Sequence, residues 1–340
     1  MSFKVGLTSD ILDVRGEPVF GREPLEALDA AKGLEWEWLP KGIREITADF
    51  AEKCDALYVN SPKVPAAAVA GKNLRLKVVS RHGVGYDSVD VAAMSKAGVL
   101  VCNTPNAMPR PVATMALTLV LALAHRLMAK DRMTREGRWN DRVDHMGMGL
   151  TGRTLGVVGA GRIGKELLRM AQAFDLKLLA ADPYADELEL GYIGARKMPL
   201  ETLMAEADFV VVTALLNEET RHLVNARQLA RMKSSAYLIN VARGPVVDEK
   251  ALYEVLAAKQ IAGAALDVFE EEPTPADNPI LRLDNVIVAP HSLCWTDELF
   301  ANIARTAVGA VLAVHAGRAP RFVVDAAALG HPRVRDWLRA

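Results

Sequence analysis

Along the first hundred positions, apolar residues come in short runs separated by stretches with helical spacing. This pattern predicts strands at 4–8, 36–39, 56–60, 76–80 and 99–102, with helices at 24–31, 48–53, 65–70 and 89–97 between them. Such alternation implies a parallel sheet covered by helices. A second alternating series begins at Thr154, with strands at 154–158, 176–180, 209–213, 236–240, 262–266 and 286–289, about the number in a full dinucleotide-binding sheet. Between the two series, 109–136 predicts one long helix, apolar at first and then charged through Lys130-Asp131-Arg132. Its first half is too apolar for a monomer's surface, so it is expected to pack between domains, between subunits, or both. The stretch 137–152, with Trp139, Asn140 and four glycines, has no periodicity and reads as a connecting loop. A last helix over 296–315 leads to a short tail. The chain shows no internal repeat and no low-complexity segment.

The first unit of the second series carries a local motif. A strand ending at Val158 runs into Gly159-Ala160-Gly161-Arg162-Ile163-Gly164 and a helical segment. In such a G-x-G-x-x-G turn, Gly159 allows the sharp turn, Gly161 leaves room for a pyrophosphate against the backbone, and Gly164 lets helix and strand approach. The helix start, with Arg162 and Ile163, offers N–H groups and a positive dipole end. Three glycines at this spacing arise from composition alone in about one chain in ten, so the context decides. The next strand ends at Asp182, whose carboxylate is spaced to accept both ribose hydroxyls of NAD and to repel the extra phosphate of NADP. An ordinary solvated aspartate before Pro183 is the competing reading.

Composition narrows the field further. At 340 residues, 51% hydrophobic and 24% charged, the chain has material for two domains with proper cores. A net charge of −1 without a basic run or acidic tail argues against nucleic acid or membrane as partner, and a small anion would need a local positive site. Cys54, Cys102 and Cys294 have neither disulfide nor metal-ligand spacing, which fits a reducing cytoplasm. No signal-peptide pattern opens the chain, and the longest apolar stretch, 112–124, falls short of the ~20 residues that span a bilayer. His125, His145, His222, His315 and His331 lack metal-ligand spacing, so no metal is expected.

In an open parallel sheet, ligands lie beyond the carboxyl ends of the strands. Three reactive residues stand there: Arg243 after 236–240, Glu272 after 262–266, and His291 after 286–289. An arginine fork matches a carboxylate and stays charged, while a histidine beside a carboxylate suits proton transfer near neutral pH. Each residue alone could be an ordinary surface charge or a capping group. Together, at three strand ends of the sheet that holds the glycine turn, they read as a site.

These residues belong to five motifs in order: Arg81-His82-Gly83-Val84-Gly85-Tyr86-Asp87, Gly159 to Gly164, Asn240 to Asp248, Leu266 to Pro273, and Pro290-His291. In them the chain resembles the D-isomer-specific 2-hydroxyacid dehydrogenase family over nearly its whole length. The resemblance implies an α/β fold with two doubly wound parallel-sheet domains and a cleft between them. A flavodoxin-like substrate domain would comprise 1–103 and 292–340, and a Rossmann NAD-binding domain 104–291. It also implies hinges near 102–104 and 291–293 and a homodimer built on the 109–136 helix.

By the same resemblance, Arg243 holds the substrate's carboxylate and 2-oxo group, Glu272 hydrogen-bonds His291, and His291 donates and accepts the proton. Asp267 lies near the nicotinamide amide, and Thr213, Ala242 and Arg243 line the cofactor. The peptide N–H groups of Gly83, Val84 and Gly85 form a second carboxylate cradle. His82 either touches substrate or bonds nearby backbone.

The chain also departs from the family pattern. Ser292-Leu293-Cys294-Trp295-Thr296 stands where many members have small residues, which places Trp295 on the pocket wall. Asn60 falls where phosphoglycerate-specific members tend to have a phosphate-binding arginine, and Thr114 and Leu215 replace a family glutamate and proline. The expectation is an NAD-dependent enzyme interconverting a small 2-oxo acid, of the glyoxylate or hydroxypyruvate kind, and a D-2-hydroxy acid. Rival readings are an NAD-sensing corepressor-like protein, which usually carries extended tails, and a formate or phosphite dehydrogenase; the formate type lacks the simple Glu-His pair.

Overall fold

The computed structural model describes residues 2–338. They divide into two compact units, Met1–Met108 with Trp295–Ala340, and Pro109–Cys294.

In the first unit, β1 (Phe3–Leu7), β2 (Leu34–Trp38), β3 (Ala56–Val59), β4 (Val78–Arg81) and β5 (Leu100–Cys102) form one parallel sheet in the order β2-β1-β3-β4-β5. Position in the sheet explains strand composition. Central β3 is buried at every residue, whereas edge strand β2, Leu-Glu-Trp-Glu-Trp, alternates half-buried and exposed. The chain reverses direction across the sheet between β1 and β3, which makes a switch point at their carboxyl ends. The helix Asp297–His315, capped by the Thr296 hydroxyl on the Leu299 N–H, packs on β3 and β4. There Ser80 Oγ donates to Ala307 O at 2.9 Å.

The second unit holds β6 (Thr154–Val158), β7 (Lys177–Ala181), β8 (Ala195–Lys197), β9 (Phe209–Val212), β10 (Tyr237–Asn240), β11 (Gly263–Leu266) and β12 (Val286–Val288), all parallel. Their order, β12-β11-β10-β9-β6-β7-β8, is the dinucleotide-binding 3-2-1-4-5-6 arrangement with one more strand, and its switch point lies between β6 and β9. All four residues of β9 are fully enclosed, each contributing about 1.5–3 kcal/mol by burial. The helix Arg162–Ala171 buries Gly164, Leu167, Leu168 and Ala171, one face at i, i+3, i+4, i+7, and packs beside the helix Pro109–Ala124. Among the described residues no single helix is long and apolar enough to cross a membrane.

Five expectations need correction. The sheet of the second unit has seven strands rather than six, because the edge strand β8 is too short to show any alternation. The expected helix over 109–136 is two helices, Pro109–Ala124 and Leu127–Arg135, bent by 58°. The break has a tertiary cause. Met148 N–H donates to Ala124 O at 2.7 Å, taking a carbonyl that a continuous helix needs, and Arg126 turns into the left-handed region at φ 52°. The loop 137–152 contains a 3-10 helix, Trp139–His145, and the stretch 65–70 closes as a 3-10 turn, Ala66–Val69. Finally, the chain passes between units later than 103 and 291. Thr104 N–H donates to Gly83 O and Asn103 Nδ2 to Val84 O, which holds 103–104 to the first unit. Ser292 and Leu293 N–H donate to Asp267 and stay with the second.

Candidate active site

The glycine turn leaves β6 at the switch point of the second sheet. Gly159 has φ 93°, and a Cβ there would lie 2.6 Å from Ala214 N. At Gly164 a Cβ would meet Gly159 O at 2.4 Å and Val157 Cγ1 at 2.8 Å, so glycine is what lets the helix start against the strand. At Gly161, by contrast, a Cβ would meet nothing within 4 Å. No side chain caps the helix that follows, and Arg162 is exposed at its first turn with Ile163 half-buried behind it. Open space above Gly161 and an uncapped helix end fit a pyrophosphate.

Asp182, just past β7, closes the turn from the side. One carboxylate oxygen accepts the Ala160 N–H and the other the Tyr184 N–H, both at 2.8 Å. Each oxygen keeps a second lone pair for a ribose hydroxyl. Thr213 Oγ1, at the end of β9, donates to Gly159 O at 2.6 Å and so is committed to shaping the turn.

Past β10, the chain turns sharply because buried Asn240 clamps it, its Oδ1 accepting the Ala242 N–H at 3.1 Å and its Nδ2 donating to Arg243 O at 3.2 Å. Ala242 is buried by this turn and Arg243 is thrust outward, exposed, with Nη1 on Ala242 O at 2.7 Å. A Cβ at Gly244 would lie 1.9 Å from the carbonyl of Phe269, so the loops after β10 and β11 touch there backbone to backbone. Sequence reasoning passed over Asn240 and Gly244 as individual residues. Their signal is an Asn at a strand end followed four positions on by Gly.

The loop after β11 then supplies the carboxylates. Glu272 Oε1 accepts the Phe269 N–H at 3.0 Å, and Oε2 meets His291 Nδ1 at 2.7 Å. With the Nδ1–H pointed at Glu272, Nε2 is the nitrogen left for chemistry. His291 itself sits in the left-handed region at φ 52°. The chain beyond it is tied back by Asp267, which accepts the Ser292 and Leu293 N–H groups at 3.1 and 3.2 Å. Burial raises the Asp267 carboxyl above its ordinary value despite those two bonds.

In the first unit the expected residues also lie past strand ends. Asn60 Nδ2 donates to Asp10 Oδ2 at 3.0 Å, and the same oxygen takes the Ser61 N–H at 2.8 Å. Burial alone would raise Asp10, but hydrogen bonds from Thr8, Ser61 and Asn60 hold its carboxyl below the usual range. Trp295, 63% exposed, stands edge-on to Phe300 at 5.4 Å. The His82 ring does not lie open beside Gly83: it is enclosed among Phe20, Tyr58 and Phe300, and its Nδ1 meets Tyr58 OH at 2.5 Å. Of its two sequence readings the structure takes neither, since its partner is a buried phenol.

The comparisons with known proteins agree with one another. Residues 117–292 match the family model for the D-isomer specific 2-hydroxyacid dehydrogenase, NAD binding domain. The chain is 39% identical to a glyoxylate reductase of Korarchaeum cryptofilum over 83% of its own length and 86% of that protein. It is 38% identical to a D-3-phosphoglycerate dehydrogenase of Archaeoglobus fulgidus, of which it spans only 54%. A solved structure from Thermus thermophilus superposes with a TM-score of 0.82 at 31% identity, covering 95% of this chain and all of the other. The chain belongs to the D-isomer-specific 2-hydroxyacid dehydrogenases.

This dehydrogenase is therefore an NAD-dependent oxidoreductase acting on the 2-oxo acid and D-2-hydroxy acid couple. The glycine turn, the helix start and Asp182 are the residues that would hold NAD, which when bound supplies the hydride-carrying nicotinamide. The protein's own groups do the rest. An exposed guanidinium can receive a carboxylate bidentately and polarise a neighbouring carbonyl. An imidazole held at Nδ1 by a fixed carboxylate can deliver a proton from Nε2 to that carbonyl oxygen, and take it back in the reverse direction.

Proposed function

We propose that this dehydrogenase reduces a short, unphosphorylated 2-oxo acid, of the size of glyoxylate or hydroxypyruvate, to the D-2-hydroxy acid. The observation that carries the reading is the 2.7 Å contact between His291 Nδ1 and a Glu272 already anchored on the Phe269 N–H, with Arg243 turned outward on the loop that meets Phe269 at Gly244. In this reading His291 is the acid and base, Glu272 orients it, and Arg243 binds the substrate's carboxylate and 2-oxo group. Asp267 keeps the chain after His291 in place, and the N–H groups of Gly83, Val84 and Gly85 form a second carboxylate cradle. The preference for an unphosphorylated substrate is supported by Asn60, whose amide is spent on an anionic Asp10, so that position repels a phosphate. It is supported too by similarity to glyoxylate reductase.

The test mixes purified protein with NADH and glyoxylate, hydroxypyruvate, pyruvate, bulkier 2-oxo acids and a phosphorylated 2-oxo acid, following absorbance of the reduced cofactor. Turnover fastest with the small unphosphorylated acids is expected. NADH binding without reduction of any acid would end the reading.

The protein is further proposed to act in the cytoplasm as a homodimer. Leu127, Met128, Trp139, Val143 and Met146 are all more than half exposed along 127–146, an apolar surface a second copy would cover. Sedimentation of wild type and Met146→Glu checks it: a dimer that the charge weakens is expected, and a monomeric wild type would refute it.

A further inference from the structure

The loop Gly83–Gly85 has an unusual balance of hydrogen bonds. In the three peptide groups that lead into Gly83, Val84 and Gly85 the carbonyls are engaged: His82 O accepts from Arg81 Nη1 at 2.9 Å, Gly83 O from Thr104 N–H at 3.0 Å, and Val84 O from Asn103 Nδ2 at 2.8 Å. Its N–H side is not, since the N–H groups of Gly83, Val84 and Gly85 make no hydrogen bond among the described residues. Three successive free donors on a half-buried loop form a concavity suited to an anion. Such a cradle works only if the loop is held still.

What holds it from below is a polar pair inside an apolar core. The register of β3 against β4 sets Tyr58 beside Ser80, and alternation puts His82, two residues on, over the same face. Tyr58 is 1% and His82 6% exposed, packed with Phe20 and with Phe300 of the covering helix. The phenol meets the imidazole at Nδ1, while His82 Nε2 is buried with no hydrogen-bond partner among the described residues. Two phenylalanines would fill this space without an unpaired nitrogen. The polar pair adds direction: a hydrogen bond of fixed length sets the rotation of the imidazole and thus the height of the chain that leaves it at Gly83, where φ is 121°.

We propose that Tyr58 and His82 are positioning residues, whose hydrogen bond in the core sets the Gly83–Gly85 N–H groups to receive the substrate's carboxylate. The proposal rests on the reading of that loop as a carboxylate cradle. His82 then acts through the backbone and never touches the acid.

Tyr58→Phe removes one oxygen and leaves the packing. His82→Phe keeps a ring without the acceptor, and His82→Asn restores a polar atom near the Nδ1 position. Steady-state kinetics with the best 2-oxo acid should show KM raised about fivefold to tenfold in both Phe variants, with kcat within about twofold and the NADH dissociation constant unchanged. The double variant should be no worse than the worse single, and His82→Asn should recover part of the loss. Melting temperatures show which variants fold; if His82→Phe does not, Tyr58→Phe decides alone. Unchanged KM in a folded Tyr58→Phe overturns the proposal, as does a parallel loss of NADH affinity, which marks general loosening. Gly83→Ala separates the two layers of inference, because it strains the loop directly. If Gly83→Ala raises KM and Tyr58→Phe does not, the cradle stands and the positioning role falls. If neither moves KM, the cradle itself is wrong.

Discussion

The two units share a parallel doubly wound sheet and differ in what they place past its strand ends. The second unit puts side chains there, with Arg243 outward and His291 held on Glu272. The first unit puts backbone there, a glycine-rich loop with free N–H groups over a buried Tyr58–His82 pair. The difference follows from the task each is read to perform. A proton transfer needs a titratable group with one nitrogen exposed, whereas an anion already charged needs only fixed donors, which peptide groups supply without side-chain entropy.

The contrast can be broken by mutation. The largest expected effect is at His291: replacement by Ala should lower kcat about 100- to 10,000-fold while NADH still binds, as fluorescence titration would show. A variant that kept near-normal turnover would remove the second unit's claim to the chemistry. Next comes Arg243→Lys, which keeps the charge and loses the fork. A fall in kcat/KM of about 100-fold for the 2-oxo acid is expected, with little change for NADH, and an effect below about threefold would mean that bidentate contact is unimportant.

Asp182→Ala tests the cofactor end of the same unit. The ratio of kcat/KM with NADH to that with NADPH should drop about tenfold, and the lost bond to Ala160 N–H should cost about 1 kcal/mol in denaturant unfolding. An unaltered cofactor ratio would leave Asp182 as a brace for the turn only.

A pH-linked effect sharpens the first unit's side of the comparison. Burial pushes the His82 imidazole down to about 3 from an ordinary 6.5, with the charge of Arg81 acting in the same direction and Asp10 against it. Neutral Tyr58 is the other titratable group against the ring. Between those two values the unfolded chain binds the proton that the folded chain refuses. Stability is thus fully present above pH 6.5 and declines as the pH falls toward 3, by at most about 1.4 kcal/mol per pH unit from this residue. Urea midpoints measured from about pH 6.5 down to about pH 4 should therefore fall less steeply for His82→Phe than for wild type. Equal slopes would mean that the imidazole titrates normally and is not enclosed.

Legibility in the sequence followed the same division. The glycine turn, Asp182 and the three strand-end residues could be picked out because their spacing relative to apolar runs is local information. The strand β8 escaped since three residues at an edge carry no period. The bend at Arg126 escaped because its cause, the Met148 N–H on Ala124 O, comes from a segment more than twenty residues later. Asn240 and Gly244 were visible as letters, yet the clamp and the close approach to Phe269 that place Arg243 depend on a neighbouring loop.

The sequence by itself determined two α/β units, a glycine turn with the spacing that suits a phosphate and a short roster of reactive residues, since hydrophobic period and residue chemistry are written along the chain. Only the tertiary structure decided which groups meet. Glu272 and His291 come to 2.7 Å because β11 and β12 are neighbours in the sheet, and His82 turns inward because β3 lies beside β4 and a helix from the far end of the chain covers both. Strand order and register are set by burial summed over distant segments, and they convert a list of residues into a geometry.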